Sequence, residues 1–228
     1  MYFGTAQVGK IGKITADGAS VNTNWATLSG ETNFLGGSLY FDQTGVFSND
    51  LIVVTGRSTN SSLDGGGVWR VNASTNATPI AQIDNPLGTG RLLEGVLTVP
   101  NDLKYGPWAG KILLGQEQSG LICAVDTNGM VTTYNLGLGA PEDLRMIPSG
   151  QNLYCLDFTN NRMLKVPAVN FAAFVGDILV VDEGRGCAVA GLYIAHWEGG
   201  RFVVRQIPIA TSELEHVTFA PMDIPALP

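Results

Sequence analysis

One short pattern occurs three times in this chain: a glutamate, a variable residue, a mostly apolar run and a closing proline. The copies span residues 94–100, 142–148 and 215–221, and a weaker copy at 36–42 keeps the apolar run without the glutamate. Self-similarity at a spacing of tens of residues is typical of solenoids, propellers and other repeat architectures. The pattern therefore predicts several copies of one structural unit, each with an equivalent strand.

The segments between the copies are short apolar runs separated by glycine-rich turns. Charged residues make up only 14% of the chain, whereas 29 residues are glycine and 11 are proline. This composition favours short strands joined by tight turns over long exposed helices. Only residues 169–175 have apolar spacing that would suit a helix. We therefore expect a single all-β domain that covers residues 1–228.

The length and strand content of each unit indicate a β-propeller. A unit of roughly 45 residues with up to four strands is typical of a propeller blade. The N-terminus opens on a second-type strand and the C-terminus ends on a lone first-type strand, so we predict a ring closed by pairing the C-terminal strand with the N-terminal blade. The prediction is five four-stranded blades, with six as the alternative. The five are 215–221 with 2–28, then 36–83, 94–136, 142–165 and 166–208.

Residues 162–167 leave one blade boundary open. They suit either the third strand of the fourth blade or the first strand of the fifth. The segment 166–177 matches 99–111 in residue type, and this match favours the second assignment. Because the segment cannot serve both blades, one blade must have fewer than four strands.

The strand start at 94–100 and the hairpin at 120–129 resemble those of the NHL/SMP-30 (gluconolactonase-like) propellers. The resemblance covers the whole chain as architecture. It implies a Ca²⁺ ion in the central channel, held by Glu, Asn and Asp side chains of inner strands, and for some members lactonase or phosphotriesterase activity. Only Glu94, Glu142 and Glu215 carry over to this chain, which has no match for the Asn–Asn–Asp ligands.

The residues themselves also predict an acidic opening. The first strand of each blade lines the central channel, so Glu94, Glu142 and Glu215 are expected around one end of it. Carboxylates gathered in one place repel one another unless a cation is bound, and Ca²⁺ tolerates a flexible ring of oxygen ligands best. The loops between second and third strands reach the same face and supply further candidates: Glu117, Asp157, Asp182 and Glu183.

Two alternatives to a metal site remain open at this point. One is a solvated acidic rim without a fixed ligand. The other is a set of salt bridges to nearby arginines: Arg145, Arg162 or Arg185.

The two histidines are expected to be structural. His216 directly follows Glu215, and adjacent residues of a strand point to opposite faces. If Glu215 faces the channel, His216 is expected to pack between blades, and a role as a base at the site is the alternative. His196, beside Trp197, is expected to be a packing or surface residue.

Charge and cysteine content restrict the partners. The net charge of −7 disfavours nucleic acid and anionic membranes. No apolar run approaches the ~20 residues needed to span a bilayer, and no signal peptide is visible. Cys123, Cys155 and Cys187 are too few for a disulfide framework and are interpreted as buried apolar residues, with one disulfide plus an odd thiol as the alternative.

Three functions compete on this basis. The first is a Ca²⁺-binding interaction or scaffold propeller, an extracellular or periplasmic monomer with a protein or carbohydrate ligand. The second is a Ca²⁺-dependent hydrolase of the lactonase or phosphotriesterase kind, with the repeated glutamates as ligands and Asp157 or Asp182 as the base. The third is a metal-free structural propeller. The lack of uncharged polar ligands and of a positioned histidine favours the first.

Overall fold

The computed structural model describes residues 1–5, 7–31, 37–56, 66–83, 93–184, 189–209, 211 and 213–221. Within these ranges the chain consists of short β-strands and three 3₁₀ helices. The strands are β1 Tyr2–Gly4, β2 Lys10–Ile14, β3 Val21–Thr27, β4 Leu39–Phe41, β5 Leu51–Val54, β6 Gly66–Val71, β7 Ala77–Ile83, β8 Leu93–Thr98, β9 Ile112–Gln116, β10 Leu121–Val125, β11 Val131–Asn135, β12 Pro141–Met146, β13 Gln151–Asp157, β14 Arg162–Val166, β15 Ile178–Asp182, β16 Gly191–Glu198, β17 Arg201–Ile207 and β18 Leu214–Pro221.

The strands form five antiparallel sheets, the blades of a five-bladed β-propeller, which confirms the predicted fold class. Blade 1 contains β1–β3, blade 2 contains β4–β7 and blade 3 contains β8–β11, each in chain order. Blade 4 contains β12, β15, β16 and β17, and blade 5 contains β18, β13 and β14. Among the described residues, blades 2, 3 and 4 have four strands and blades 1 and 5 have three.

The predicted pairing of the C-terminal strand with the N-terminal blade is wrong. β18 pairs with β13. β12 pairs directly with β15, although the hairpin of β13 and β14 lies between them in the sequence. The physical reason is that all first strands share one sequence pattern, so the pattern alone does not select the partner strand. Packing selects it here, because Leu214 and Val217 are buried against Leu153 and Cys155 in the core between blades 4 and 5.

The assignment of residues 162–167 to the start of a blade is also wrong. β14 is the third strand of blade 5, paired with β13. The match between 99–111 and 166–177 is nevertheless structural, because each segment contains a 3₁₀ helix that leads into a second strand: Leu103–Trp108 before β9, and Ala168–Phe174 before β15. An apolar residue followed by proline marks the end of a strand, whether that strand is the first or the third of its blade.

Apolar side chains fill the spaces between adjacent blades. In β9, Leu114 packs toward blade 2 and Leu113 toward blade 4, and in β15, Val180 and Val181 likewise face opposite sides. Because both of their faces are buried, these central strands have consecutive apolar residues, Ile112–Leu114 in β9 and Ile178–Val181 in β15. Each fully buried side chain of this size contributes roughly 1.5–3 kcal/mol to the free energy of unfolding.

Cys123 and Cys155 are buried, as predicted. Cys187 lies outside the described residues. In the part of the chain that the structure describes, no helix is long and apolar enough to cross a membrane.

Candidate metal site at the start of the first strands

A β-bulge interrupts the first strand of blade 3 at the repeated glutamate. Glu94 lies opposite Gly115 and Val96 lies opposite Leu114, so Gly95 is an extra residue in β8. Gly95 has a φ of +53°, a left-handed conformation that glycine adopts without strain. The second position of this copy of the repeat therefore requires glycine.

Equivalent register shifts occur at Glu142 in β12 and at the start of β18. In β18, Glu215 and His216 together lie opposite Leu156 alone. A bulge breaks the strict alternation of a strand, so consecutive side chains can point to the same side. The expectation that His216 packs between blades is therefore wrong, and its ring lies with the glutamates.

Five side chains form one acidic cluster: four come from the bulged first strands, and the fifth, Glu183, directly follows β15. Ligand atoms of Glu94, Glu142 and His216 lie within 4.8 Å of one another. Those of Glu142, Glu183 and Glu215 form a second triad within the same limit. Glu142 belongs to both triads and is only 4% exposed, whereas the other glutamates are half-buried and His216 is exposed.

The carboxyl groups of Glu94 and Glu142 are hydrogen-bonded to each other. Burial, reinforced by this hydrogen bond and by the charges of Glu94, Glu183 and Glu215, raises the pKa of Glu142 to about 11. Burial also raises the pKa of Glu94. Without a cation the pair therefore holds a proton, carried by Glu142 and accepted by Glu94. A bound cation would take over the role of this proton.

Glu117 lies beside the cluster. It begins the 3₁₀ turn Glu117–Ser119 after β9 and is 4% exposed. Its negative charge contributes to the raised pKa of Glu94. Blade 2 contributes a neutral group to the same region, since the hydroxyl of Ser38 accepts a 2.9 Å hydrogen bond from the amide of Gly95. The acidic groups therefore come from blades 3 to 5.

Asp182 anchors a loop. Its carboxylate accepts hydrogen bonds from the backbone amides of Gly139, Ala140 and Gly184 at 2.7–2.9 Å. The side chain is fully buried at the end of β15. This geometry gives no support to the prediction that Asp182 is a catalytic base, because its oxygens are committed to the backbone.

Asp157 has the same role at the end of β13. It accepts a 2.8 Å hydrogen bond from Nε of Arg162 and 3.0 Å bonds from Asn160. Although burial favours the neutral acid, these hydrogen bonds outweigh it and lower the pKa of Asp157. Asp157 and Asp182 each fix the turn beside them, and among the described residues neither belongs to a ligand triad.

Asp143 is a site residue that the sequence did not reveal. It is 1% exposed, its Oδ2 accepts a hydrogen bond of 3.1 Å from the amide of Val217, and its Oδ1 lies 2.6 Å from Nη1 of Arg145. It thereby joins the first strands of blades 4 and 5. Its adjacency to Glu142 was the available signal, although strict alternation along a strand would place it on the opposite face. Of the arginines considered as partners of the repeated glutamates, Arg145 pairs with Asp143 and Arg162 with Asp157, while Arg185 lies outside the described residues.

An open cavity of about 250 Å³ lies next to the cluster, between the first strands of blades 2 to 5. Its lining includes Ser38, Val96, Asp143, Arg145 and His216. His216 therefore borders both the acidic cluster and the cavity.

Fold and site together define a five-bladed β-propeller with a cluster of carboxylates and one imidazole where its first strands begin. No protein-family profile and no curated protein sequence matches the chain. Among solved structures, the chain is similar to a streptogramin B lyase, with 14% identity and a TM-score of 0.43 over 92% of this chain and 65% of that chain. It is also similar to selenomethionine-substituted virginiamycin B lyase from Staphylococcus aureus, with 12% identity and a TM-score of 0.42 over 96% of this chain and 79% of that chain.

The chain thus spans 65% of the length of the first of these lyases. The resemblance to NHL/SMP-30 propellers is confirmed for the propeller architecture. Membership of that family stays a prediction.

Proposed function

We propose that the protein is a Ca²⁺-binding propeller that serves as an interaction or scaffold protein. The observation that carries this proposal is the position of Glu142, which is 4% exposed and shares two ligand triads with three other glutamates and a histidine. Buried carboxylates among like charges are stable only when they are protonated or balanced by a cation. A cation at Glu142 therefore provides the balance that the fold itself lacks there.

The donor set favours Ca²⁺ over a transition metal. The triad of Glu142, Glu183 and Glu215 offers only oxygen atoms, which hard cations prefer, and half-buried ligands leave room for the waters that complete a Ca²⁺ shell. The triad with His216 includes an imidazole, which suits Mn²⁺ or Zn²⁺. Because Glu142 belongs to both triads, one ion is expected at a time.

A scaffold role is supported by the way the acidic residues are used. Asp157 and Asp182, the two expected bases, are bound to local turns, so neither is free to exchange a proton with a substrate. An extracellular or periplasmic location, a monomeric state and a protein or carbohydrate ligand belong to the same proposal. The metal would then order the bulged strand ends that face the ligand.

A metal-dependent hydrolase of the lactonase or phosphotriesterase kind is the second candidate, and the position of His216 favours it. An imidazole that borders both the carboxylates and a cavity is placed to exchange a proton with a molecule in that cavity. The metal, when bound, would polarise a carbonyl or phosphoryl oxygen.

Calorimetric titration with Ca²⁺ tests the proposal. We expect one binding site in the wild type, at least about tenfold weaker binding in Glu142→Gln, and unchanged binding in the control Glu198→Gln, an exposed residue on the last turn of blade 4. The absence of any binding in the wild type would contradict the proposal. Assays with lactones and phosphotriesters separate the two candidates, because turnover that is lost in both Glu142→Gln and His216→Asn would establish the hydrolase.

A further inference from the structure

The guanidinium group of Arg145 is held at one nitrogen. Nη1 lies 2.6 Å from Oδ1 of Asp143 and donates a 2.8 Å hydrogen bond to the carbonyl oxygen of Leu144. Within the described ranges, Nη2 and Nε make no hydrogen bond. The side chain is 32% exposed and lines the cavity beside the cluster. Donors of Arg145 are therefore available to a molecule in that cavity.

Asp143 fixes the orientation of this arginine. Its side chain is 1% exposed and accepts hydrogen bonds from the amides of Leu144 and Val217, at 2.9 Å and 3.1 Å. Because two backbone amides hold the carboxylate in place, its position determines the position of the arginine side chain. Asp143 thus preorganises the guanidinium group of Arg145 for binding a ligand.

The cavity is small and is lined both by Arg145 and by His216 of the acidic cluster. Its volume of about 250 Å³ lies just below the range of drug-sized ligand pockets, so it suits a molecule of few atoms. Arg145 lines it, and so does His216, whose ring lies within 4.8 Å of carboxylate oxygens of Glu94 and Glu142. A molecule in the cavity can therefore touch the arginine and approach the cluster at the same time.

We propose that this cavity binds a small oxyanion, a carboxylate or phosphate group, which is held by the fork of Arg145 beside the cation. This inference rests on the proposed function. The planar guanidinium matches two oxygens of such a group, which a point charge such as lysine does not. The cluster alone is strongly anionic and repels an anion, whereas a bound divalent cation reverses that effect. Cation and anion therefore favour each other's binding, and by thermodynamic linkage the effect is mutual.

Calorimetric titrations with acetate and with methylphosphonate test the proposal, each performed with and without saturating Ca²⁺. The two probes distinguish carboxylate from phosphate chemistry. Arg145→Lys keeps a cation beside Asp143 and loses the fork, and Arg145→Gln loses the charge as well. Arg162→Lys is the matched control, because Arg162 also pairs with a buried aspartate, at 2.8 Å, but does not line the cavity.

We expect at least one probe to bind the Ca²⁺-loaded wild type, about tenfold more weakly to Arg145→Lys and more weakly still to Arg145→Gln. Arg162→Lys should bind the probe like the wild type, and Arg145→Lys should retain its Ca²⁺ affinity. Binding of neither probe to the Ca²⁺-loaded protein, or equal binding by the wild type and both Arg145 variants, overturns the proposal and leaves Arg145 as a structural partner of Asp143.

Failure of the proposed function gives a different result. If the wild type binds no Ca²⁺, that function is wrong, and the titrations without metal then decide the anion site alone. Probe binding that is lost in Arg145→Gln would still support the site, and no binding would overturn it.

Discussion

Glu94 and Glu142 come from the first strands of neighbouring blades, and their carboxyl groups are hydrogen-bonded to each other. Two acidic side chains make such a contact only when one of them holds a proton or when a cation lies between them. β-Bulges at both glutamates create this contact, since they turn both side chains toward the same space. The cluster is therefore a product of backbone irregularity as well as of composition.

The metal-free protein should lose stability as the pH rises. Glu142 has a pKa of about 11 in the folded state against its ordinary 4.5, so between these values the folded state binds more protons than the unfolded state. The stabilising effect of this group is complete below the ordinary pKa and is lost as the pH rises toward the folded-state pKa, by at most about 1.4 kcal/mol per pH unit. Urea unfolding in EDTA at several pH values measures the slope.

Glu142→Gln is the comparison for that slope. The amide imitates the protonated acid and does not titrate, so the contribution of Glu142 to the slope should disappear in the variant. Equal slopes in the wild type and Glu142→Gln would show that the proton is held elsewhere.

Gly95→Ala should destabilise the protein by about 2–4 kcal/mol. An added Cβ would lie 2.5 Å from Cα of Asp143 and 2.8 Å from the carbonyl oxygen of Glu142, both of them backbone atoms that cannot easily move. Gly137→Ala is the matched control, because Gly137 has a φ of +77° but an added Cβ meets no atom within 4 Å, so that only the cost of the left-handed conformation, about 1–2 kcal/mol, remains. Urea unfolding of both variants checks this, and equal losses would mean that the close approach at the bulge is unimportant.

The sequence predicted the blades better than their connections. Strand alternation and repeat spacing depend on local residues, so the propeller fold and the strands of blades 2 and 3 were predictable. The partner of a first strand depends on packing between distant residues, such as Leu214 with Cys155. A pattern that all first strands share does not indicate which second strand each one joins. For this reason the partners of β12 and of β18 were both predicted wrongly.

The candidate site was predictable in part for a related reason. The repeated glutamates could be predicted as site residues, because identical positions in equivalent strands lie around one axis. His216 and Asp143 each follow a repeated glutamate. His216 was assigned to the opposite face by strict alternation, and the same rule would place Asp143 there. A bulge at each position removes that alternation. Of the three repeat copies that contain the glutamate, only the first has a glycine, Gly95, that could indicate the bulge from the sequence.

Asp182→Asn should lower the free energy of unfolding by at least about 2 kcal/mol. The aspartate accepts hydrogen bonds from three backbone amides, and an asparagine would turn an NH₂ group toward one or more of them. Asp126→Asn is a suitable control, since Asp126 accepts from two amides of an exposed turn. Chemical unfolding measures both. A stable Asp182→Asn that has lost a catalytic activity would instead establish Asp182 as a base.

His216→Asn should weaken the binding of Mn²⁺ and Zn²⁺ more than the binding of Ca²⁺. His216 belongs only to the triad with Glu94 and Glu142, so Mn²⁺ and Zn²⁺ binding should weaken by about tenfold or more, while the oxygen-only triad retains Ca²⁺. His196→Asn is the control, because His196 is bound to Asp177 away from the cluster. Titrations of each metal into both variants provide the test, and a loss of Ca²⁺ binding equal to that of Zn²⁺ would contradict the assignment.

The most direct test of the cation site is thermal unfolding in excess EDTA and in added Ca²⁺, for the wild type and Glu142→Gln. A ligand at a hundred times its dissociation constant stabilises the folded state by about 2.7 kcal/mol, which raises the midpoint of a protein of this size by roughly 5–10 °C. We predict that rise for the wild type and its absence for Glu142→Gln. A wild-type midpoint that is the same in EDTA and in Ca²⁺ would contradict the account and leave the glutamates as a solvated acidic rim.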